Sequence, residues 1–212
     1  MITTENQIAV LTGDVISSTA LGAAQLDTVF ATLESCANAQ AVWVGGPLRF
    51  TRHRGDGWQV ALTNPKYALR SALTFRAALR ACTPQFDSYI AIATGAAPAN
   101  LSDDLNTQSD AAFIASGQLL DQLKMQKSES TIGHADAGAI GAVAILADHM
   151  SQGWTQAQAA AILQKITPNA SISYTQMAQN LGKSRQVVTK SLDAAGYHVL
   201  AHALTTLESD FA

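Results

Sequence analysis

Apolar positions along the first 125 residues switch between strand-like runs and helical spacing. The run QIAVLTGDVI at 7–16 is apolar and short, which predicts a strand interrupted near its end by Gly13 and Asp14. Leu21, Leu26, Val29, Phe30 and Leu33 then recur at helical spacing and predict a helix over 21–37. Apolar runs at 41–44 and 58–62 flank RFTRHRGDG, whose Gly55-Asp56-Gly57 is a tight-turn signal. They predict a β-hairpin with Asp56 at its tip. Over 67–81 the apolar Ala68, Leu69, Ala72, Leu73, Phe75 and Leu79 predict an amphipathic helix with Arg70, Arg76 and Arg80 outside. A strand at 89–94 (YIAIAT), an Asp-rich loop at 100–110 and a helix over 111–125 complete the order β-α-β-β-α-β-α.

The segment QKSESTIGHADA at 126–137 is polar and contains Gly, and it is the expected boundary between an α/β domain at 1–130 and a helical domain at 138–212. Beyond it every periodic run is helical, over 140–152, 155–166, 174–180, 184–194 and 199–207. Each is bounded by Gly, Pro, Ser or Thr where caps belong. The fold class expected is therefore α+β, a sheet domain followed by a small all-α domain.

Charge alters this picture little for the fold and more for the partner. The net charge of −3 is divided unevenly, with 9 basic against 13 acidic residues in 1–150 and 4 against 3 in 151–212. A nucleic-acid partner would have to be held by a few well-placed cations, because no large positive field exists. No stretch approaches the ~20 apolar residues of a membrane span, and MITTENQIAV lacks the features of a secretory signal, so a cytoplasmic protein without a membrane partner is expected. Cys36 and Cys82 lie in apolar helical patterns and read as buried free thiols. The histidines show no zinc-ligand pattern, and His198 and His202, four apart, lack a third ligand nearby. Trp43, Trp58 and Trp154 read as core or interface residues.

The segment SYTQMAQNLGKSRQVVTKSLDAAGY at 173–197 predicts a helix-turn-helix. Met177 and Ala178 face inward on a short first helix, Gly182 allows the positive φ of the turn, and Ser184 caps a second helix. Val187, Val188 and Leu192 form the apolar stripe of that helix, which leaves Arg185, Gln186, Thr189 and Lys190 outward on its first turns. These side chains donate to base edges and phosphates, and Lys183 at the turn is placed for a phosphate. Lys183, Ser184, Arg185, Gln186, Thr189 and Lys190 are thus the candidate DNA-binding residues. A plain packing element with a solvated polar face is the alternative.

In the first domain Asp14 ends a strand and Asp56 tips a hairpin. If the strands are neighbours the two carboxylates meet, and such a pair suits Mg²⁺ carrying a nucleotide, although Asp in Gly-Asp-Gly also serves turns for conformational reasons alone. The segments TGDVISSTAL, RHRGDGWQVAL, ALRSALTFRAALRA, YIAIATGAA and SDAAFIASGQLLDQLK, covering roughly 7–126, resemble in order and spacing the class III nucleotidyl cyclase homology domain. The resemblance implies a ferredoxin-like sheet, an active site formed across a dimer, Asp14 and Asp56 as ligands of Mg²⁺ or Mn²⁺, and Arg52 and Asp110 as nucleotide-base contacts. The family's transition-state Asn and Arg align with Phe113 and Gly117, which cannot stabilise developing phosphate charge, so no catalytic residue is assigned and efficient cyclase chemistry is not expected. Arg49, Arg52, His53 and Arg54 form a basic cluster beside Asp56, suited either to phosphates or to pairing with Asp. With its helical tail the chain is similar to the bacterial SatD-type proteins, which join a cyclase-like fold to a C-terminal helix-turn-helix.

The leading expectation is a homodimeric, DNA-binding transcriptional regulator whose cyclase-like domain dimerises and senses a nucleotide. The rival is a metal-dependent nucleotide enzyme whose tail serves assembly, and a third is a nucleotide-responsive scaffold without DNA.

Overall fold

The computed structural model describes residues 7–46, 48–53, 55–125 and 130–209. These form an α+β fold of five strands and eight α-helices. Strands β1 (Gln7–Val15), β2 (Arg49–His53), β3 (Gly57–Leu62), β4 (Ser88–Ala96) and β5 (Ile132–His134) make one sheet in the order β2-β3-β1-β4-β5. Each of the first four is antiparallel to its neighbours among them, and β5 joins β4 in parallel. β1 runs straight through Gly13 and Asp14. Gly13 is required there because the Trp58 indole lies across it, and a Cβ would come within 2.1 Å of the ring.

Alternation along β1 divides the core. Ala9, Leu11 and Val15 face α1 (Ala23–Val44) and α2 (Ala68–Cys82), whereas Ile8 and Val10 face α3 (Ala111–Met125), where Ala112 and Phe113 meet them. The predicted run at 41–44 is not a strand. It is the last turn of α1, whose buried stripe continues through Leu33, Cys36, Ala37, Gln40 and Val44 before Gly45 ends the helix at φ 86°.

Five further helices follow: α4 (Ala139–Gln152), α5 (Gln156–Lys165), α6 (Tyr174–Leu181), α7 (Arg185–Ala194) and α8 (Tyr197–Ser209). The main apolar cluster runs from Leu11 and Val60 through Leu73 and Phe75 to Trp154, Ile162, Leu192 and Leu204, so these helices close over α2 rather than standing apart. That placement overturns the expected outward face of α2. Arg70 and Arg76 are buried and Arg80 nearly so. The Arg76 guanidinium, fully buried, donates to Asp87 at 3.2 Å, to the Asp148 carboxylate at 2.6 Å and to the Ser151 hydroxyl at 2.7 Å. Arg80 pairs with Asp87 at 2.6 Å, and Arg70 forms a two-pronged pair with Glu208 of α8 while donating to the Ile166 carbonyl.

The segment read as a boundary holds β5. Its backbone N–H at Ile132, with that of Thr131, is accepted by the Asp148 carboxylate at 3.0 and 2.8 Å, while Thr131 and Ala135 exchange bonds with β4. Residues 126–129 of that segment lie outside the described residues. The two thiols also separate: Cys36 is buried, which pushes its thiol up to about 12 against a hydrogen bond from Gln40, but Cys82 is exposed. Trp58 and Trp154 are buried and Trp43 is partly so, edge-on to Tyr67.

Removing Arg76 leaves the buried Asp148 carboxylate without a cation, while Asp87 keeps Arg80. Arg76→Met is expected to cost about 3–5 kcal/mol in urea unfolding; a loss of about 1 kcal/mol or less would mean that the cluster is screened like a surface pair. His134 gives a second prediction. Burial holds its imidazole below the ordinary value, with Asp136 opposing. Above pH ~6.5 folded and unfolded chains are both neutral at this group; below it the unfolded chain takes a proton that the folded chain resists. Its stabilising effect is thus complete above that pH and is lost as pH falls toward the lowered folded value. His134→Asn should flatten the stability curve in that interval, and an unchanged slope would remove His134 as its source.

Candidate functional site

Two groups of candidate residues lie far apart in the fold. In the first, β1 and β3 are neighbours with Asp14 opposite Gly57, which brings Asp14 beside Asp56 as the sequence suggested. The turn is tied to the strand by the Val15 N–H, which donates to the Asp56 carbonyl at 3.1 Å. The Asp14 carboxylate points to the α3 face of the sheet and pairs at 2.7 Å with the ammonium of Lys124, in the last turn of α3. The Ser18 hydroxyl donates to the Asp56 carboxylate. Lys124 is held above its ordinary pKa by the hydrogen bond to Asp14 first of all, then by the charges of Asp14, Asp56 and Asp121, against partial desolvation. Among the described residues no group of three or more His, Cys, Asp or Glu side chains is arranged to hold a metal ion.

The remaining first-domain candidates do not converge on this pair. Arg52 lies on the other face of the sheet, its guanidinium carbon 3.8 Å above the Phe30 ring of α1, and it donates to the Gly55 carbonyl. Asp110 precedes α3 and accepts through its backbone carbonyl from Phe113 and Ile114. Lys124 is fourteen residues further along that helix, about 20 Å at 1.5 Å per residue. The basic cluster is likewise divided: Arg49 pairs with Asp103 at 2.8 Å, His53 meets Asn106, and Arg54 lies outside the described residues. Phe113 is buried against Val10 and Ala61, and Gly117 faces open space.

Lys124 and Ser18 were not among the sequence candidates. The available signal for Lys124 was its position four residues beyond apolar Leu120, which places it at the margin of the helix's buried face.

The second group is on α6, α7 and the turn between them. Ser173 caps α6 through the Gln176 N–H, and Met177 and Ala178 are buried. Gly182 adopts φ 60°, and the N–H groups of Gly182 and Lys183 return to the Gln179 and Ala178 carbonyls at 3.2 and 2.9 Å. The Ser184 hydroxyl accepts from the Val187 N–H at 3.3 Å and is the N-cap of α7. Val188 and Leu192 are buried against α5, α6 and α8, but Val187, expected in the same stripe, is 44% exposed. Arg185, Gln186, Thr189 and Lys190 share the outward surface of α7 and together line one shallow depression. The Thr189 hydroxyl donates to the Arg185 carbonyl.

No model of a known protein family matches the chain, and no curated protein matches it.

Ser184→Ala removes the cap acceptor and leaves the Val187 N–H to solvent. The expected loss is about 1 kcal/mol in chemical denaturation; no loss would mean that the hydroxyl is free for an external partner.

Proposed function

We propose that the chain is a dimeric, DNA-binding transcriptional regulator in which α6, the Gly182 turn and α7 are a helix-turn-helix and α7 enters the major groove. One observation carries this reading. Among the described residues, Lys183, Arg185 and Lys190 are the lysines and arginines whose side-chain nitrogens make no hydrogen bond, ion pair or ring contact with another described residue. Every other described one is engaged: Arg49 by Asp103, Arg52 by Phe30, Arg70 by Glu208, Arg76 and Arg80 by Asp87, Lys66 by Tyr67, Lys124 by Asp14 and Lys165 by Tyr174.

Holding a cation unpaired on a chain with net charge −3 favours an anionic partner at that face. Gln186 and Thr189 between the cations add donors and acceptors suited to base edges, beyond what phosphates alone require. We read the β2-β3-β1-β4 order, with two helices on one face, as a ferredoxin-like core of the nucleotidyl cyclase type.

The test is selection from a random duplex pool, followed by fluorescence anisotropy at several salt concentrations. The wild type should enrich a two-fold symmetric sequence, and Arg185→Ala should weaken its binding by about 1–3 kcal/mol without loss of fold. Lys183→Ala should weaken all duplexes alike and lower the salt slope by about one. A wild type that enriches nothing, or an Arg185→Ala/Lys190→Ala variant that binds as well as the wild type, would overturn the proposal.

A further inference from the structure

Asp14 and Asp56 do not fit the divalent ion that such a pair suggests. Mg²⁺ takes about six oxygens in octahedral geometry, and Mn²⁺ similarly prefers several oxygen donors. Here two carboxylates are present, one already engaged by an ammonium and the other by a hydroxyl. The ammonium is not a passing surface contact. Asp14 is held in a strand between β3 and β4, its side chain 15% exposed, and Lys124 belongs to a helix fixed on the same sheet by the 2.7 Å bond between Thr12 and Ser116 and by burial of Leu120 and Leu123.

We propose that Lys124 is the built-in counter-ion of the Asp14–Asp56 pair: its ammonium stands where a divalent cation would be held, and the native chain takes no Mg²⁺ or Mn²⁺ there. An ammonium tying α3 to Asp14 at the end of β1, with the charge of Asp56 also acting on it, offsets adjacent like charges that would otherwise repel. It does so without the ordered ligand shell that a metal requires. The charge is supplied by the fold itself, so occupancy does not depend on metal concentration. Replacing Lys124 by an uncharged residue leaves two neighbouring carboxylates without their cation, and a divalent ion that keeps water in its remaining positions is then attracted there.

Mn²⁺ titration of the full chain, followed by electron paramagnetic resonance of the free aquo ion, tests this directly. The wild type should leave the free-ion signal unchanged at millimolar Mn²⁺. Lys124→Met should bind Mn²⁺ saturably, at least about tenfold more tightly than the wild type, and Lys124→Met/Asp14→Asn should lose that binding. Circular dichroism establishes that each variant is folded; if Lys124→Met is not, Lys124→Gln, which keeps a donor for Asp14 without the charge, takes its place. Wild-type binding that Asp14→Asn abolishes would overturn the proposal, and so would a folded Lys124 variant that binds no Mn²⁺. Neither result depends on DNA binding, which is read separately on α7.

Discussion

A guanidinium shut away from water is stable only when its donors and its charge are all answered, and Arg76 imposes that condition on four parts of the chain at once. It lies on α2, takes Asp87 from the approach to β4, Asp148 and Ser151 from α4, and the Thr131 hydroxyl from the approach to β5. Arg80 adds a second cation to Asp87, so two arginines face two aspartates and the cluster is neutral as a whole. Charge neutrality, with a hydrogen-bond partner for every nitrogen of Arg76, is what makes burial of such a group tolerable, since desolvation otherwise outweighs the Coulomb attraction. Asp148 also accepts from the backbone of Thr131 and Ile132. The edge strand β5 and the start of the helical tail are therefore held to the sheet through the same carboxylate.

The placement of α7 follows from this packing. α5 lies along α2, Arg70 reaches across to Glu208 at the end of α8 and to the carbonyl of Ile166, and the Trp154 indole donates to the Ala195 carbonyl just after α7. The cationic surface of α7 is thus connected to the sheet through buried side chains and polar contacts. In the proposed dimer, the position of each α7 within its own subunit would accordingly be fixed by the packing of the chain itself.

Much of this was legible in the sequence where one element decides the outcome alone. Helical spacing marked α3 at its observed limits, and Ser173, Gly182 and Ser184 marked the ends of α6 and α7 through cap chemistry that acts within a few residues. The meeting of Asp14 and Asp56 was foreseeable because strand ends carry their residues with them. What escaped was set by distant parts of the chain. Arg70 and Arg76 look like a solvated stripe until α4, α5 and α8 cover it. β5 is only three residues long and depends on a carboxylate from α4. Residues 41–44 have strand composition but continue the buried stripe of α1, and packing against the sheet outweighs local preference. Lys124 becomes a partner for Asp14 only once α3 lies across the sheet.

Pairing of cations offers one rule for reading both candidate sites. An internal partner satisfies a charge and commits it to the fold, as Lys124 is committed by Asp14 and Arg76 by its two aspartates. A cation without such a partner keeps its hydration and is free to exchange it for an external anion at little desolvation cost. Under this rule the acidic pair, which by composition invites a cofactor, is closed by the chain's own lysine. The open chemistry lies on a segment whose net charge is close to neutral, and its three unpaired cations are concentrated at one turn and one helix face. Composition averages over both kinds of charge, so a net charge of −3 does not count against the nucleic-acid surface proposed for α7.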